Sequence, residues 1–313
     1  MFKFLAVVVL CGIFSGEIMK GQSYKSMKLY APQNSAKEWA EANMSRNKQE
    51  AELINKEIAS QPQAIWLTGS DVLSAKAALE EASQKGELAV LVLYNIPGRD
   101  NGQYSAGGEH SPKGYAKFIK SVSDLIGSKN VLVVVEPDAL MLMQDLPQTD
   151  QQIRCQMLQH AVQSLKQNQN ARIYLDAGHS HWHSAEETAK RLTLVGIEQA
   201  DGFALNISNY RSTEESIKFG ENVSRHIGGK HFLIDTSRNG NGAWDSQAND
   251  SWCNPPGRAL GKMPTFDTGN MLIDAFLWIK HPGESDGECR GGPQAGQFWP
   301  QKALELISNR KKQ

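Results

Sequence analysis

The sequence predicts an α/β protein in which parallel strands, covered by helices, close or nearly close into a barrel. Three observations lead there. From about Tyr30 onward, short strand-like runs alternate with helix-like stretches, and no low-complexity linker interrupts the rhythm. The runs are apolar throughout rather than alternating with polar residues, which marks strands buried on both faces, as in a parallel sheet. Nearly every run ends in polar or ionisable residues. An α/β barrel builds its site from such carboxyl ends, whereas a doubly wound open sheet gathers its chemistry at one switch point.

The first run, residues 64–67, leads into Thr68-Gly69-Ser70, where Ser70 or Asp71 can cap a helix starting near Val72. The second, 88–94, ends in the stretch from Asn95 to Asp100, and the third, 131–135, in Glu136-Pro137-Asp138. Leu158, Ala161, Val162 and Leu165 then share one face of a helix. The fourth run, 172–175, delivers Asp176-Ala177-Gly178-His179, and the fifth, 202–206, leads to Asn209 and Tyr210. The sixth, 232–235, ends in Thr236-Ser237-Arg238-Asn239. The seventh, 274–279, ends in Lys280, with Glu284 and Asp286 beyond. No internal repeat is visible apart from this rhythm. A length of 313 residues allows two domains, but a barrel of this size is commonly one.

Composition narrows the function. Apolar residues make up 40% and charged residues 21%, a globular balance rather than that of a disordered chain. The net charge of −1 supplies no basic footprint for nucleic acid. Seven tryptophans either fill a core or offer flat faces to a ligand. Residues 1–23 read as a secretory signal peptide: a basic start at Lys3, then an apolar run from Phe4 to Phe14 too short to span a bilayer, then small residues. Residues 24–313 form the expected catalytic domain, secreted to an extracellular setting and not bound to a membrane. There the three cysteines beyond Cys11, namely Cys155, Cys253 and Cys289, allow one bridge and one leftover thiol. Sequons stand at Asn43, Asn206, Asn222 and Asn249.

The strand-end groups are rich in carboxylates: Asp100, Glu136, Asp138, Asp176, Glu284 and Asp286, joined by Arg99, Arg238 and Lys280. Carboxylates crowded into one cleft repel, so some hold a proton and others pair with a cation. One protonated and one ionised carboxyl is what glycoside hydrolysis requires. A strand-end aspartate taken singly more often caps the next helix; a set at successive strand ends argues for a site. The run His179-Ser180-His181-Trp182-His183 has an alternation that would suit a metal, but the turn at Gly178 works against regular extension.

Six segments carry a resemblance. They are Tyr94-Asn95-Ile96-Pro97-Gly98-Arg99-Asp100, Val135-Glu136-Pro137-Asp138-Ala139-Leu140, Tyr174-Leu175-Asp176-Ala177-Gly178-His179, Asp235-Thr236-Ser237-Arg238-Asn239-Gly240, Trp252-Cys253-Asn254-Pro255-Pro256-Gly257-Arg258, and Trp278-Ile279-Lys280 running on to Gly283-Glu284-Ser285-Asp286-Gly287. In this order, from about Trp66 to Trp299, they resemble the signatures of glycoside hydrolase family 6. The resemblance implies a distorted, TIM-barrel-like barrel of seven parallel strands and an inverting cellulase that needs no metal or cofactor. It also implies cellulose, related β-1,4-glucan or cello-oligosaccharides as the partner; a monomer is expected.

By that resemblance Asp138 is the general acid, and its pKa must lie above the ordinary carboxylate value. Asp100 supports the acid's raised pKa by like charge and can steer the catalytic water. Asp286 is the general base, roughly 6.5–9.5 Å from the acid in an inverting enzyme, acting directly or through a water chain. Tyr94 lies beneath the distorted sugar ring. Trp66, Trp182 and Trp252 are sugar platforms, and Lys280, Glu284, His179 and Asn209 bind hydroxyls. Asp176 is grouped with the substrate-binding residues, in a motif that holds the acid's neighbourhood. Ser105 sits on a loop closing over the cleft, with Gly102, Gly107 and Gly108 as its hinges. Trp278 is expected in the core, and Trp39, Trp244 and Trp299 in packing or on the surface.

Departures from the family pattern refine the expectation. Asn101 stands where the family often has a cysteine bridged to the helix after the acid's strand, which leaves Cys155 free; Cys253 and Cys289 then pair. Only Gly287 and Glu288 separate Asp286 from Cys289. Cellobiohydrolases of the family carry a longer insertion there and an extra tryptophan near the position of Ala185. Both differences point to an open cleft and attack on internal bonds; a cellobiohydrolase and a non-hydrolytic cellulose-binding protein are the alternatives. No carbohydrate-binding module or Ser/Thr/Pro linker is recognised, so weak binding to crystalline cellulose is expected.

Overall fold

The structure, a computed structural model, describes residues 24–69, 71–244 and 250–310. The expected leader, the alternative cap Ser70 and the Asn249 sequon lie outside the described residues. Eight parallel strands form one sheet: β1 (Lys28–Leu29), β2 (Ile65–Leu67), β3 (Glu87–Leu93), β4 (Val131–Val135), β5 (Ala171–Asp176), β6 (Gly202–Leu205), β7 (His231–Asp235) and β8 (Ile273–Leu277). From β3 to β8 each strand pairs with the next in chain order, while β1 and β2 share the outer edge of β3. The seven strands β2 to β8 are those expected from sequence. The two-residue β1 is an addition, too short to carry any periodic signal.

Inter-strand helices account for the apolar runs. Val131, Val133 and Val135 of β4 face the helical layer, and Leu132 and Val134 face the barrel interior with Val90, Val92, Tyr174 and Leu277. Both faces of the central strands are therefore dry. Helices α1 (Ser35–Asn43), α2 (Lys48–Ile54), α3 (Ala75–Lys85), α4 (Pro112–Ile126), α5 (Gln148–Leu165), α6 (Ala185–Leu194), α7 (Thr213–His226) and α8 (Pro300–Ser308) complete the coat. Helix α3 starts three residues later than expected from its apolar pattern. Asp71 does not cap it; its carboxylate turns back to accept from Thr68 N and Gly69 N, at 2.8 and 3.1 Å. No helix among the described residues is long and apolar enough to cross a membrane.

The sheet curls without a complete ladder. Between β2 and β8 the chain is joined by one backbone hydrogen bond, Ala64 N to Trp278 O at 3.1 Å, and by Trp66 Nε1 donating to Ile279 O at 2.9 Å. Trp278 is 1% exposed and belongs to the core, as expected. Cys253 and Cys289 form the expected disulfide, and Cys155 on α5 is free. Asn206, one of the sequons, is fully buried and donates to Asp235 O, which rules it out as a glycan acceptor in the folded chain.

Candidate active site

Strand ends build the site, and they do so in strained backbone. Asp100, Glu136, Asp138, Asn206 and Ser208 all lie at positive φ, between 50 and 69°. Such conformations persist in non-glycine residues only where the surroundings impose them, and they gather at functional sites. Here they turn the chain sharply at the carboxyl ends of β4 and β6, and within the long loop after β3. Of these, Asp100, Asp138 and Ser208 line a cleft of about 580 Å³.

Asp138 opens onto this cleft. Tyr94 OH stands 3.5 Å from its Oδ2. Behind it, Asp176 is 2% exposed and accepts a hydrogen bond from Asp138 N at 2.9 Å. Burial holds the Asp138 pKa well above the carboxylate range, and the charges of Asp176 and Asp100 push it further. Burial also raises Asp176, to about 7, against the backbone N–H groups of Asp138, Gly178 and Ala177. Asp176, grouped on sequence with the substrate-binding residues, lies beneath the turn and outside the cleft lining, and holds that turn in place.

Asp100 lies in the cleft wall and accepts from Ser105 N at 2.7 Å. Burial raises its pKa, with Ser105 N and the nearby Arg99 acting in the opposite sense. Arg99 is the clasp of this loop: it donates to Tyr94 O and Ser105 O, both at 2.7 Å, and its guanidinium lies 4.8 Å over the Tyr94 ring. Gly108, at φ +90°, packs so closely that a Cβ would collide with Ile96 O. The loop reaches the far wall, where the Tyr104 and Trp252 rings meet edge-on at 6.2 Å and Gly287 lies against Tyr104. Glu136, one of the strand-end acids, is buried below. It accepts from Asn95 N and Ile96 N at 2.9 and 3.0 Å, and burial lifts its pKa to about 8.

Asp286 is held differently. Its Oδ1 pairs with Arg238 Nη1 at 2.8 Å; its Oδ2 accepts from Tyr210 OH at 2.7 Å and Asn254 N at 2.9 Å. Arg238 is 2% exposed and lies 4.4 Å over the Tyr210 ring. Asn254 follows the disulfide residue Cys253, so the bridge anchors the loop that supplies this donor. One carboxyl in the cleft thus has its pKa raised by burial and neighbouring aspartates, and another is paired with an arginine.

The platforms and their polar neighbours line the same cleft: Trp66, Trp182, Trp252, His179, Asn209, Lys280 and Glu284. Trp66 stands edge-on to Tyr94 at 5.4 Å, and its indole N–H is spent on Ile279 O, which fixes the plane of the ring. Trp182 lies 5.4 Å from His179, whose pKa burial lowers to about 3, so that imidazole is neutral. Lys280 and Glu284 pair at 3.2 Å, and Ser35 of α1 donates to Glu284 at 3.0 Å. Sequence reasoning assigned no role to Tyr104, His281 or Ser35, and did not foresee that Tyr210 and Arg238 clamp Asp286. His281 was the most accessible of these, since it stands between two residues already singled out.

Comparison with known proteins places this geometry. Residues 24–310 match the model of glycosyl hydrolases family 6. Endoglucanase A of Cellulomonas fimi is 45% identical over 257 residues, covering 80% of this chain and 55% of that protein, so the chain spans about half its length. Endoglucanase 1 of a Streptomyces species is 40% identical over 295 residues, covering 90% of this chain and 78% of that protein. Among solved structures, the endoglucanase Cel6 from Mycobacterium tuberculosis, in complex with a thio-linked cellobioside, is 41% identical. It superposes with a TM-score of 0.84, covering 92% of this chain and 99% of that one. With the motif order, the fold and a match over nearly its whole length in agreement, the chain belongs to glycosyl hydrolases family 6.

Proposed function

We propose that this protein is a secreted endo-β-1,4-glucanase that cleaves internal bonds of cellulose or a related glucan with inversion at the anomeric carbon. The observation that carries the reading is Asp138 in the cleft wall, beside Tyr94 and against the buried Asp176, where burial and the neighbouring aspartates raise its pKa. In its protonated state it can donate to the departing glycosidic oxygen. Tyr94 lies beside it, where a distorted ring would sit. Asp286 supports the attack of water from the other face. Both its oxygens are already hydrogen-bonded, which favours relay through an intervening water over direct proton abstraction. Trp66, Trp182 and Trp252 offer flat apolar faces to glucose rings, whose C–H faces are themselves apolar. Relatives named endoglucanases support the endo mode, as does the short stretch between Asp286 and Cys289. The disulfide suits an oxidising compartment.

The test is hydrolysis of phosphoric-acid-swollen and carboxymethyl cellulose, with product anomers followed by NMR. The α-anomer should form first, and viscosity should fall ahead of reducing-end release. Asp138→Asn should lower kcat by about 10²–10⁴, the usual contribution of a general acid, while cello-oligosaccharides still bind. Full activity in that variant would refute the assignment. The contact of Tyr104 with the far wall favours, as a second reading, exo action under a closed strap; reducing-end release matching viscosity loss would support it.

A further inference from the structure

At the seam between β2 and β8, where no ladder joins the strands, a second side chain spans the gap beside Trp66. His281 Nε2 lies 2.7 Å from the carbonyl oxygen of Ala64, just before β2, and its Nδ1 lies 2.8 Å from Glu284 Oε1. Both partners are acceptors: one is a backbone carbonyl, the other a carboxylate kept ionised by His281 and Lys280. A neutral imidazole has a single N–H, so only the imidazolium satisfies both contacts. On one side of the bridge is the strand that carries Trp66. On the other is the loop that carries Lys280 and Glu284.

We propose that His281 is a positioning residue for the substrate: as an imidazolium it sets the spacing between the Trp66 platform and the Lys280–Glu284 pair, and loss of its proton weakens glucan binding. The inference rests on the reading of Trp66, Lys280 and Glu284 as glucose-binding groups. The surroundings define the sign. Glu284 favours the proton, while Lys280 and burial oppose it; the net effect raises the pKa of His281. Helix α1 contributes to the cluster only the uncharged Ser35 hydroxyl, through Glu284. A raised histidine pKa means that the bridge is complete below the ordinary value of about 6.5 and is lost as pH climbs through the raised value. Binding therefore weakens on the alkaline side.

Isothermal titration with a thio-linked cellotetraoside, which is not hydrolysed, tests this on the wild type, His281→Gln and Glu284→Gln from about pH 6 to 9. The wild-type Kd should rise about tenfold across that window, the loss expected for one charge-assisted hydrogen bond. His281→Gln should start about tenfold weaker and stay flat. In turnover on soluble cellulose, its defect should fall on KM while kcat at saturation keeps the wild-type pH profile. If Glu284→Gln binds weakly but His281→Gln keeps the wild-type affinity and pH dependence, the role of His281 is refuted alone. Normal binding by Glu284→Gln refutes the sugar-binding reading itself, and this inference with it. Should His281→Gln fail to fold, NMR titration of the wild-type ring decides: a His281 pKa at or below about 6.5 overturns the proposal.

Discussion

Asp138 shows how a single residue acquires its chemistry from neighbours that the chain order does not reveal. Two aspartates and burial raise its pKa, so replacing either aspartate should lower it. In Asp100→Asn or Asp176→Asn, Asp138 should lose its proton at lower pH, moving the alkaline limb of the kcat profile downward. An unchanged limb in both variants would show that the flanking charges do not tune the acid. Arg238 faces the opposite problem, a buried cation whose partner Asp286 is only 9% exposed. Arg238→Met strands that carboxylate, at a cost of about 3–5 kcal/mol, measurable as a lowered urea midpoint. The motifs made legible which residues stand at strand ends. They did not reveal depth: Asp176 and Asp138 end neighbouring strands in similar contexts, yet one lies below the turn and the other in the cleft.

At the scale of elements, the central strands were readable because they are buried on both faces and their apolar runs are continuous. The seventh was placed two residues too far along, since Trp278 and Ile279 remain buried after the ladder has ended. Strand β1 could not be read, because two residues have no periodicity. Loops depend on particular contacts, and the disulfide is the firmest of them. Closing the 36-residue separation between Cys253 and Cys289 is worth about 3–4 kcal/mol in the chain-entropy model. Removing it in Cys253→Ser/Cys289→Ser should lower stability by that order and should also depress kcat, because Asn254, a donor to Asp286, loses its anchor. Chemical denaturation and turnover at saturating substrate measure the two effects. Cys155, whose thiol pKa is raised by burial, should alkylate slowly in the native state and rapidly after unfolding. Mass spectrometry of iodoacetamide-treated protein checks this.

For the whole molecule, a net charge of −1 suits a neutral polysaccharide, which offers no charge for long-range attraction. KM for unmodified soluble cello-oligosaccharides should change less than about twofold between 10 mM and 300 mM salt, because screening has no substrate charge to act on. A steep salt dependence would point to an anionic ligand. The sequence by itself determined the α/β class, the number and order of the long strands, the residues at their ends and the family those residues signal. These follow from local patterns, since two-faced burial and strand-end chemistry are written in contiguous residues. Tertiary structure alone decided which carboxyl has its pKa raised by burial, which is clamped by an arginine, how far the Tyr104 loop reaches and how the seam beside His281 is bridged. Each of those depends on burial and on partners tens to hundreds of residues away: Asp138 with Asp176, Arg238 with Asp286, Ala64 with His281. Desolvation and Coulomb interactions act through space, so a reading along the chain can name the groups but cannot set their charge.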